Sequence, residues 1–187
     1  MTRRDLLARL TAFLGTATAA VVAIPGMKYI LGTLHAAPSE IAKFDRVARL
    51  ADVRAGKPLQ VVLKGRRCDG WTTYSNEILG RVWLVRDKNE TGGSPCVRAF
   101  TSVCPHMGCQ VQLHGGGDHF ICPCHRAAFA TNGSRIDDPE TKERNHAPRG
   151  MDGLECRIVT DAATGDEWVE VRYEQFETGL TKKVAQA

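Results

Sequence analysis

Apolar residues are distributed differently in the first 34 residues and in the rest of the chain. From Leu10 to Met27 there is no charged residue over 18 positions, and Lys28 is the only charge between residues 10 and 34. At about 1.5 Å per helical residue, about 20 apolar residues cross the hydrocarbon core of a bilayer. The pattern predicts one N-terminal transmembrane helix, with a kink at Pro25 and Gly26 that a membrane helix tolerates.

The later apolar runs are short, rich in β-branched and aromatic residues, and separated by turn signals. Such runs predict antiparallel strands and an all-β domain. Thr164–Asp166 indicates a hairpin between the last two strands, and Gly115–Asp118 another turn. Asp45–Gly56 predicts a short helix or turn. The predicted strands are Leu59–Lys64, Arg81–Arg86, Val97–Ser102, Phe120–Cys122, Leu154–Val159 and Trp168–Tyr173.

The net charge is concentrated at the N-terminus. The whole chain of 187 residues carries +4, and the first 37 residues alone carry +3, so the remainder is close to +1. Residues 38–187, with a net charge close to +1, have no basic patch that would indicate nucleic-acid binding. This part of the chain has the length of one domain of ordinary size.

Two short segments concentrate candidate metal ligands in the pattern C-x-H-x15-C-x-x-H. Thiolates suit iron–sulfur clusters, and imidazole is also a good iron ligand. Two cysteines with two histidines are a common structural zinc set as well, but zinc fingers group like ligands. Here each segment pairs a ligand cysteine with a histidine, which favours iron. The four residues are Cys104, His106, Cys122 and His125.

This motif resembles the Rieske [2Fe–2S] signature, in which two histidines replace two cysteines on one iron. The resemblance implies one cluster, with Cys104 and Cys122 on one iron and His106 and His125 on the other. Neutral imidazoles make the histidine-bound iron easier to reduce than an iron held by thiolates alone. A ligating histidine with an exposed outer nitrogen can also exchange a proton. His125 and His106 are therefore the predicted catalytic residues.

Cys109 and Cys124, one in each segment, indicate the subtype. The Rieske subunits of quinol-oxidising cytochrome bc complexes carry such a pair as a disulfide, whereas oxygenase Rieske proteins lack it. The resemblance therefore implies a Cys109–Cys124 disulfide that joins the two cluster loops. Cross-linking two exposed loops fixes their separation and stabilises the fold.

A third segment, Asn145–Gly150, resembles the proline loop that covers the cluster in this family, usually G-P-A-P-R-G. Asn145 and His146 replace Gly-Pro, whereas the part containing Pro148 matches. Ala127 and Phe129 stand where high-potential members have Ser and Tyr, whose hydroxyls donate to sulfur. Fewer donors leave the reduced cluster less stabilised, so the sequence predicts a low-to-middle potential and menaquinol as the donor.

The first residues resemble a twin-arginine export signal, because Thr2-Arg3-Arg4-Asp5-Leu6-Leu7 precedes the apolar stretch. Family members retain this segment as an anchor; cleavage near Ala36-Ala37 is the alternative. Positive charge before the stretch places the N-terminus in the cytoplasm. The predicted organisation is an anchor over 1–34, a linker or hinge over 35–46 and a Rieske domain over 47–187 with a cluster subdomain at about 100–135. The cluster would then face the periplasmic side of a bacterial cytoplasmic membrane.

The predicted fold is a Rieske-type antiparallel β-sandwich with an inserted cluster subdomain, after one transmembrane helix. The predicted function is that of the redox subunit of a quinol:cytochrome c oxidoreductase, partnered by a cytochrome b-type subunit and a c-type cytochrome. The alternative is the Rieske subunit of a periplasmic molybdenum enzyme such as arsenite oxidase; a soluble oxygenase ferredoxin is disfavoured by the membrane segment. Cys156 is expected to be a buried thiol, Cys68 and Cys96 are candidates for a second disulfide, and His114, His119 and His146 are not expected to be ligands.

Overall fold

The computed structural model describes residues 2–34, 43–69, 72–87 and 96–186, apart from the side chains of residues 33, 34 and 67–69. The chain divides into two compact units. One comprises residues 1–39 and 66–75, and the other comprises residues 40–65 and 76–187. The predicted linker at 35–46 falls mostly on residues 35–42, which lie outside the described residues.

The N-terminal segment forms helix α1, Arg3–Leu34, which continues through Pro25. Its start is capped because the Thr2 hydroxyl and backbone N–H both donate to the Asp5 carboxylate, at 2.7 and 3.1 Å. Thr11 and Thr18 donate their hydroxyls to backbone carbonyls four residues earlier, at 2.9 Å each. These bonds leave few free polar groups on an otherwise apolar surface. Within the described residues, this is the one helix long and apolar enough to cross a membrane.

The strands form two antiparallel sheets, as predicted. The six-stranded base sheet has the order β1-β10-β9-β4-β3-β2, and the four-stranded sheet has the order β5-β6-β7-β8. The second sheet lies between β4 and β9 in the chain. The strands are β1 Phe44–Arg49, β2 Leu59–Asp69, β3 Thr72–Arg86, β4 Val97–Thr101, β5 Gln112–Leu113, β6 His119–Ile121, β7 Ala128–Ala130, β8 Arg135–Ile136, β9 Gly153–Thr160 and β10 Glu167–Arg172.

The hairpin between the last two strands is confirmed, because β9 pairs with β10 in the register Thr160↔Glu167. The short helix predicted within Asp45–Gly56 is confirmed as the 3-10 helix Leu50–Asp52. The first part of that range belongs to strand β1, Phe44–Arg49. Strand β1 also begins inside the range predicted as linker.

Strand β1 lacks an obvious strand pattern because its outer face is polar. It pairs with β10 at the edge of the base sheet, with a register shift between Arg46 and Ala48. Arg46 forms ion pairs with Asp161 at 2.6 Å and Glu170 at 3.4 Å, both from the β9–β10 hairpin. The strand is therefore held by charged partners far along the chain, which an apolar-pattern search does not detect.

The buried residues of the β-rich domain form two clusters. The base core packs Leu84 and Val169 from the six-stranded sheet together with Val53, which directly follows the 3-10 helix. The second core lies around the candidate site and contains both predicted ligand cysteines. Its buried members are Trp83, Val85, Phe100, Cys104, Val111, Phe120, Cys122, Ala127, Phe129, Ala147 and Met151. Trp83 anchors this core, because its ring lies 5.1 Å from Phe120 and its Nε1 donates to the Val111 carbonyl at 3.1 Å.

Candidate metal centre

The two predicted cluster loops use the same backbone turn. In the first, the Cys104 N–H donates to the Cys109 carbonyl at 2.7 Å; in the second, the Cys122 N–H donates to the Ala127 carbonyl at 2.9 Å. Each turn needs a left-handed residue four positions after its first cysteine. Gly108 adopts φ +77° and Arg126 adopts φ +52°. Glycine adopts that conformation without strain, whereas arginine does not.

The four predicted ligands form two close pairs, one of thiols and one of imidazoles. Cys104 and Cys122 are buried at the base, with 0% and 2% of their surface exposed. His106 is half-buried and His125 is exposed, and their ring centroids lie 4.9 Å apart. Soft sulfur donors therefore lie below and imidazoles lie above, facing solvent.

The two predicted ligand thiols are buried beside each other. Burial, with smaller contributions from the neighbouring Cys122 thiol, raises the pKa of Cys104 to about 12. A thiol in that environment stays protonated unless a metal replaces its proton. The donor set of two buried sulfurs and two imidazoles fits a cluster of mixed ligation.

The predicted disulfide between the loops is confirmed: Cys109 is bonded to Cys124, across a sequence separation of 15 residues. The Cys122 sulfur lies within 4.8 Å of both disulfide sulfurs. The cross-link therefore sits directly against a predicted ligand and ties the two loops beside the metal position.

The proline-loop segment lies beside the same site. Asn145, where relatives usually have Gly, is buried, and its Nδ2 donates to the carbonyls of Ala128 at 2.5 Å and Ile136 at 2.8 Å. Its Oδ1 accepts from the Ala147 N–H at 2.8 Å. One amide thus ties the loop to β7 and β8. The next residue, His146, places its ring 6.5 Å from that of His106 in a stacked arrangement.

Residues 43–158 match the model of the Rieske [2Fe-2S] domain family. The chain belongs to this family. A Rieske domain holds one [2Fe–2S] cluster, and the buried thiols and paired imidazoles described above fit that cofactor. The assignment of Cys104, His106, Cys122 and His125 as its four ligands stays a prediction.

Curated relatives agree at the family level. The chain is 30% identical over 82 residues to a cytochrome b6-f complex iron-sulfur subunit of Prochlorococcus marinus (strain AS9601), covering 44% of this chain and 42% of that protein. It is 33% identical over 69 residues to the subunit of the same name from Synechococcus sp. (strain JA-3-3Ab), covering 37% and 36%. The chain therefore spans about two fifths of the length of the curated relatives it matches.

Solved structures are more distant. The plasma membrane Rieske protein PetC3 from Synechocystis PCC 6803 is 22% identical, with a TM-score of 0.39 over 67% of this chain and 97% of that one. The quaternary ammonium Rieske monooxygenase CntA is 19% identical, with a TM-score of 0.46 over 72% of this chain and 34% of that one.

In this Rieske domain, the two predicted tuning positions are fully buried. Ala127 and Phe129 expose none of their surface and belong to the core that contains both ligand cysteines. Phe129 pairs with Phe120 across β6 and β7. Neither side chain carries a hydroxyl, so neither can donate a hydrogen bond to sulfur. Pro148, the third predicted tuning residue, is half-buried.

The remaining supports of the Rieske site come from residues that the sequence did not single out. Arg149 donates to both carboxylate oxygens of Asp152, at 2.8 and 2.7 Å, and to the Glu177 carbonyl at 2.7 Å. The Gly179 N–H donates to the Pro105 carbonyl at 2.8 Å, inside the first cluster loop. The C-terminal tail is thus bonded to the Rieske site, and no sequence pattern marks such long-range contacts.

Arg126 is held in its left-handed conformation by a pair of acids. Its guanidinium donates to Asp138, whose side chain is buried, and to Glu140 at 2.8 Å. The Asp138 carboxylate also accepts the Glu140 N–H at 2.9 Å. This ion pair anchors the second cluster loop immediately after His125.

The Arg126–Asp138 pair predicts a pH-dependent stability. The Arg126 guanidinium lowers the pKa of Asp138 well below its ordinary value of 3.8. A carboxylate with a lowered folded-state pKa stabilises the fold above its ordinary pKa, and this stabilisation is lost as the pH falls towards the folded-state value. We expect Arg126→Gln to lower the melting temperature at pH 7, with the difference from wild type shrinking below about pH 4.

Thermal unfolding followed by circular dichroism from pH 7 to pH 2.5 checks this expectation. Arg144→Gln is the matched control, because Arg144 is an exposed arginine on the segment that carries Asp138 and Glu140. A difference between wild type and Arg126→Gln that is constant over this range would contradict the assigned ion pair.

Among the described side chains, Cys96 and Cys156 do not join the site. Cys156 is a free thiol that donates to the Val97 carbonyl at 3.1 Å, and it is half-buried, less buried than predicted. Cys96 is an exposed free thiol, so the structure does not form the Cys68–Cys96 disulfide that the sequence allowed. The side chain of Cys68 itself lies outside the described residues.

Proposed function

We propose that this chain is the electron-transfer subunit of a membrane quinol:cytochrome c oxidoreductase. In this proposal, Cys104 and Cys122 ligate one iron of the cluster, and His106 and His125 ligate the other. The observation that carries it is the His106–His125 pair in disulfide-linked loops that also hold two buried thiols. The ring centroids lie 4.9 Å apart, with His125 exposed and His106 half-buried. Curated relatives named as cytochrome b6-f iron-sulfur subunits support the same class of complex.

When bound, the cluster supplies a one-electron carrier of a potential between about −150 and +300 mV. The protein residues bind and orient the substrate. The exposed His125 ring accepts a hydrogen bond from a quinol hydroxyl at its outer nitrogen and takes that proton. His106, half-buried beside it, offers a second imidazole at the same surface.

An apolar rim around the histidines would receive the quinol ring and the partner cytochromes. Met107, directly after His106, is 66% exposed. Leu113 and Pro148, both half-buried, are the other proposed members of this rim. A cytochrome b-type subunit and a c-type cytochrome are the proposed partners.

Helix α1 would anchor the subunit as a single span. Arg3, Arg4 and Arg9 precede the apolar stretch, so the N-terminus would lie in the cytoplasm and the cluster on the outer face. An oxidising outer compartment suits the Cys109–Cys124 disulfide. Twin-arginine export would carry the Rieske domain across the membrane already folded and loaded with its cluster.

The proposed donor is menaquinol, because the site lacks the two hydroxyls of high-potential members. We expect the double variant Ala127→Ser, Phe129→Tyr to raise the midpoint potential by about 100 mV, since each new hydrogen bond favours the reduced cluster by ~1.4 kcal/mol, or about 59 mV. Redox titration followed by EPR measures the shift. Phe120→Tyr, buried on the neighbouring strand, is the control for polarity alone. An unchanged potential with the cluster intact would contradict the tuning role.

The function itself is tested on the full chain, purified in detergent from its own membranes. The proposal requires a rhombic reduced [2Fe–2S] EPR signal, a potential that falls at alkaline pH, and co-purification with b- and c-type haem. A pH-independent potential would contradict proton transfer at His125. Co-purification with a molybdenum protein in place of haem proteins would establish the alternative, a subunit of an enzyme such as arsenite oxidase.

A further inference from the structure

The β5–β6 hairpin carries two histidines outside the cluster site. Leu113 pairs with Phe120, so His114 and His119 are the next cross-strand neighbours, and the backbone N–H of His114 donates to the His119 carbonyl at 2.9 Å. Side chains opposite each other on antiparallel strands lie on one face. The two rings stack with centroids 4.3 Å apart, and His119 is buried. The buried ring therefore supports the half-buried ring of His114 across its face.

Hydrogen bonds from the turn of the hairpin hold both rings. Nδ1 of His119 donates to Oδ1 of Asp118 at 2.8 Å. This bond lowers the pKa of Asp118, which keeps the carboxylate ionised as an acceptor. Nδ1 of His114 accepts the Gly116 N–H at 3.4 Å, at the weak end of hydrogen-bonding distance. An imidazole that accepts at Nδ1 carries its proton on Nε2, so Nε2 is the donor of the His114 ring.

The acceptor of that N–H is Glu140, 26 residues further along the chain. Nε2 of His114 donates to Oε1 of Glu140 at 2.9 Å. The other carboxylate oxygen, Oε2, accepts from the Arg126 guanidinium at 2.8 Å. Arg126, and after it His114, lowers the pKa of Glu140, so this carboxylate is ionised at neutral pH. A single carboxylate therefore joins the β5–β6 hairpin to the second cluster loop.

The bond from His114 decides how well Glu140 can hold its arginine. The Glu140 side chain is 54% exposed, and an exposed ion pair alone stabilises little, because two long side chains must be ordered to form it. Here the backbone of Glu140 is fixed by its N–H bond to the buried Asp138, at 2.9 Å, and its carboxylate is fixed by His114. The Arg126 guanidinium therefore meets a carboxylate whose orientation is already set.

Arg126 transmits this restraint to the predicted ligand His125, which directly precedes it. Its backbone is left-handed, with φ +52°, and a residue other than glycine keeps that conformation only when its surroundings hold it. A turn that relaxes at Arg126 moves the adjacent His125. We propose that His114 is a positioning residue for His125 and acts through Glu140 and Arg126. This inference rests on the proposed function, in which His125 ligates the cluster and binds the quinol.

The test compares His114→Leu, which removes the donor to Glu140, with His114→Gln, whose amide N–H can still donate. Each full chain is purified in detergent with its cluster loaded. We expect His114→Leu to alter the line shape of the reduced EPR signal and to speed cluster release to a chelator by about 10-fold, whereas His114→Gln stays close to wild type. Val169→Ala, in the base core, is the control for lowered stability alone and should leave the EPR line shape unchanged.

A second background isolates the route of the effect. In an Arg126→Gly chain, glycine adopts the left-handed turn without support, so adding His114→Leu should change neither readout further. An equal change in both backgrounds would overturn the proposal, because His114 would then act by another route. An EPR signal of His114→Leu identical to that of wild type would overturn it too. A wild-type chain without a mixed-ligand [2Fe–2S] signal would contradict the proposed function itself, and with it the ligand that His114 positions.

Discussion

Replacing Cys122 with serine is expected to abolish cluster binding, with iron falling from about two atoms per chain to near zero. The same loss is expected for Cys104→Ser. Both sulfurs lie at the buried base of the site, where no solvent-derived ligand can substitute for them. A serine hydroxyl is a neutral, weak donor that is far harder to ionise than a thiol. In the proposed ligation, each variant therefore removes one of the two anionic ligands of one iron.

Iron content, visible absorption and the reduced EPR signal measure this effect on the full chain. Cys156→Ser is the matched control, because that thiol is half-buried and donates to a backbone carbonyl that a serine can still reach. It should retain the cluster and the signal. Circular dichroism shows whether the variants keep their strands. A Cys122→Ser protein with full iron content and an unchanged EPR spectrum would refute the ligand assignment.

The parts of the site that the sequence revealed are those fixed by local spacing. The C-x-H and C-x-x-H segments placed thiols and imidazoles in two short loops, and the structure brings His106 and His125 to 4.9 Å between ring centroids. The Cys109–Cys124 disulfide followed from the family resemblance and is confirmed. Helix α1 followed from an uninterrupted apolar stretch. Each of these signals is carried by residues close together in the chain.

The parts that escaped prediction depend on partners distant in sequence. Asp138 has no local feature that marks it as buried, and its role appears only once Arg126 is placed against it. Asn145 stood out only as a departure from a family glycine, although its amide bonds β7, β8 and its own loop. Buried polar groups need partners, but the sequence does not say which residues supply them.

The two cluster loops reach the same left-handed turn with different residues. Gly108 adopts the left-handed conformation of the first loop without strain, whereas Arg126 adopts it at the equivalent position of the second loop. The strain that arginine brings there is offset by its bonds to Asp138 and Glu140. The second loop thus exchanges a flexible glycine for a charged anchor, directly beside His125.

The double variant Cys109→Ser, Cys124→Ser is expected to lower the free energy of unfolding by about 3 kcal/mol, the chain-entropy value for closing a loop of about 15 residues. The disulfide spans a sequence separation of 15. The larger consequence is for the cluster, because the cross-link lies against the Cys122 sulfur and holds together the two loops that present the ligands. Once the loops separate more easily, the cluster is lost faster.

Denaturant unfolding of the double variant and of wild type, each with and without reductant, measures both effects, with visible absorption reporting cluster loss. Reductant should destabilise wild type towards the variant and leave the variant unchanged. Cys96→Ser is the control for removal of an exposed thiol outside any disulfide among the described residues. A double variant that unfolds and loses its cluster at the same denaturant concentration as wild type would contradict this role. It would show that the two loops are held together without the disulfide. The remaining restraints would then be the backbone turns of the two loops, the tail bond to Pro105 and the Arg126–Asp138 pair.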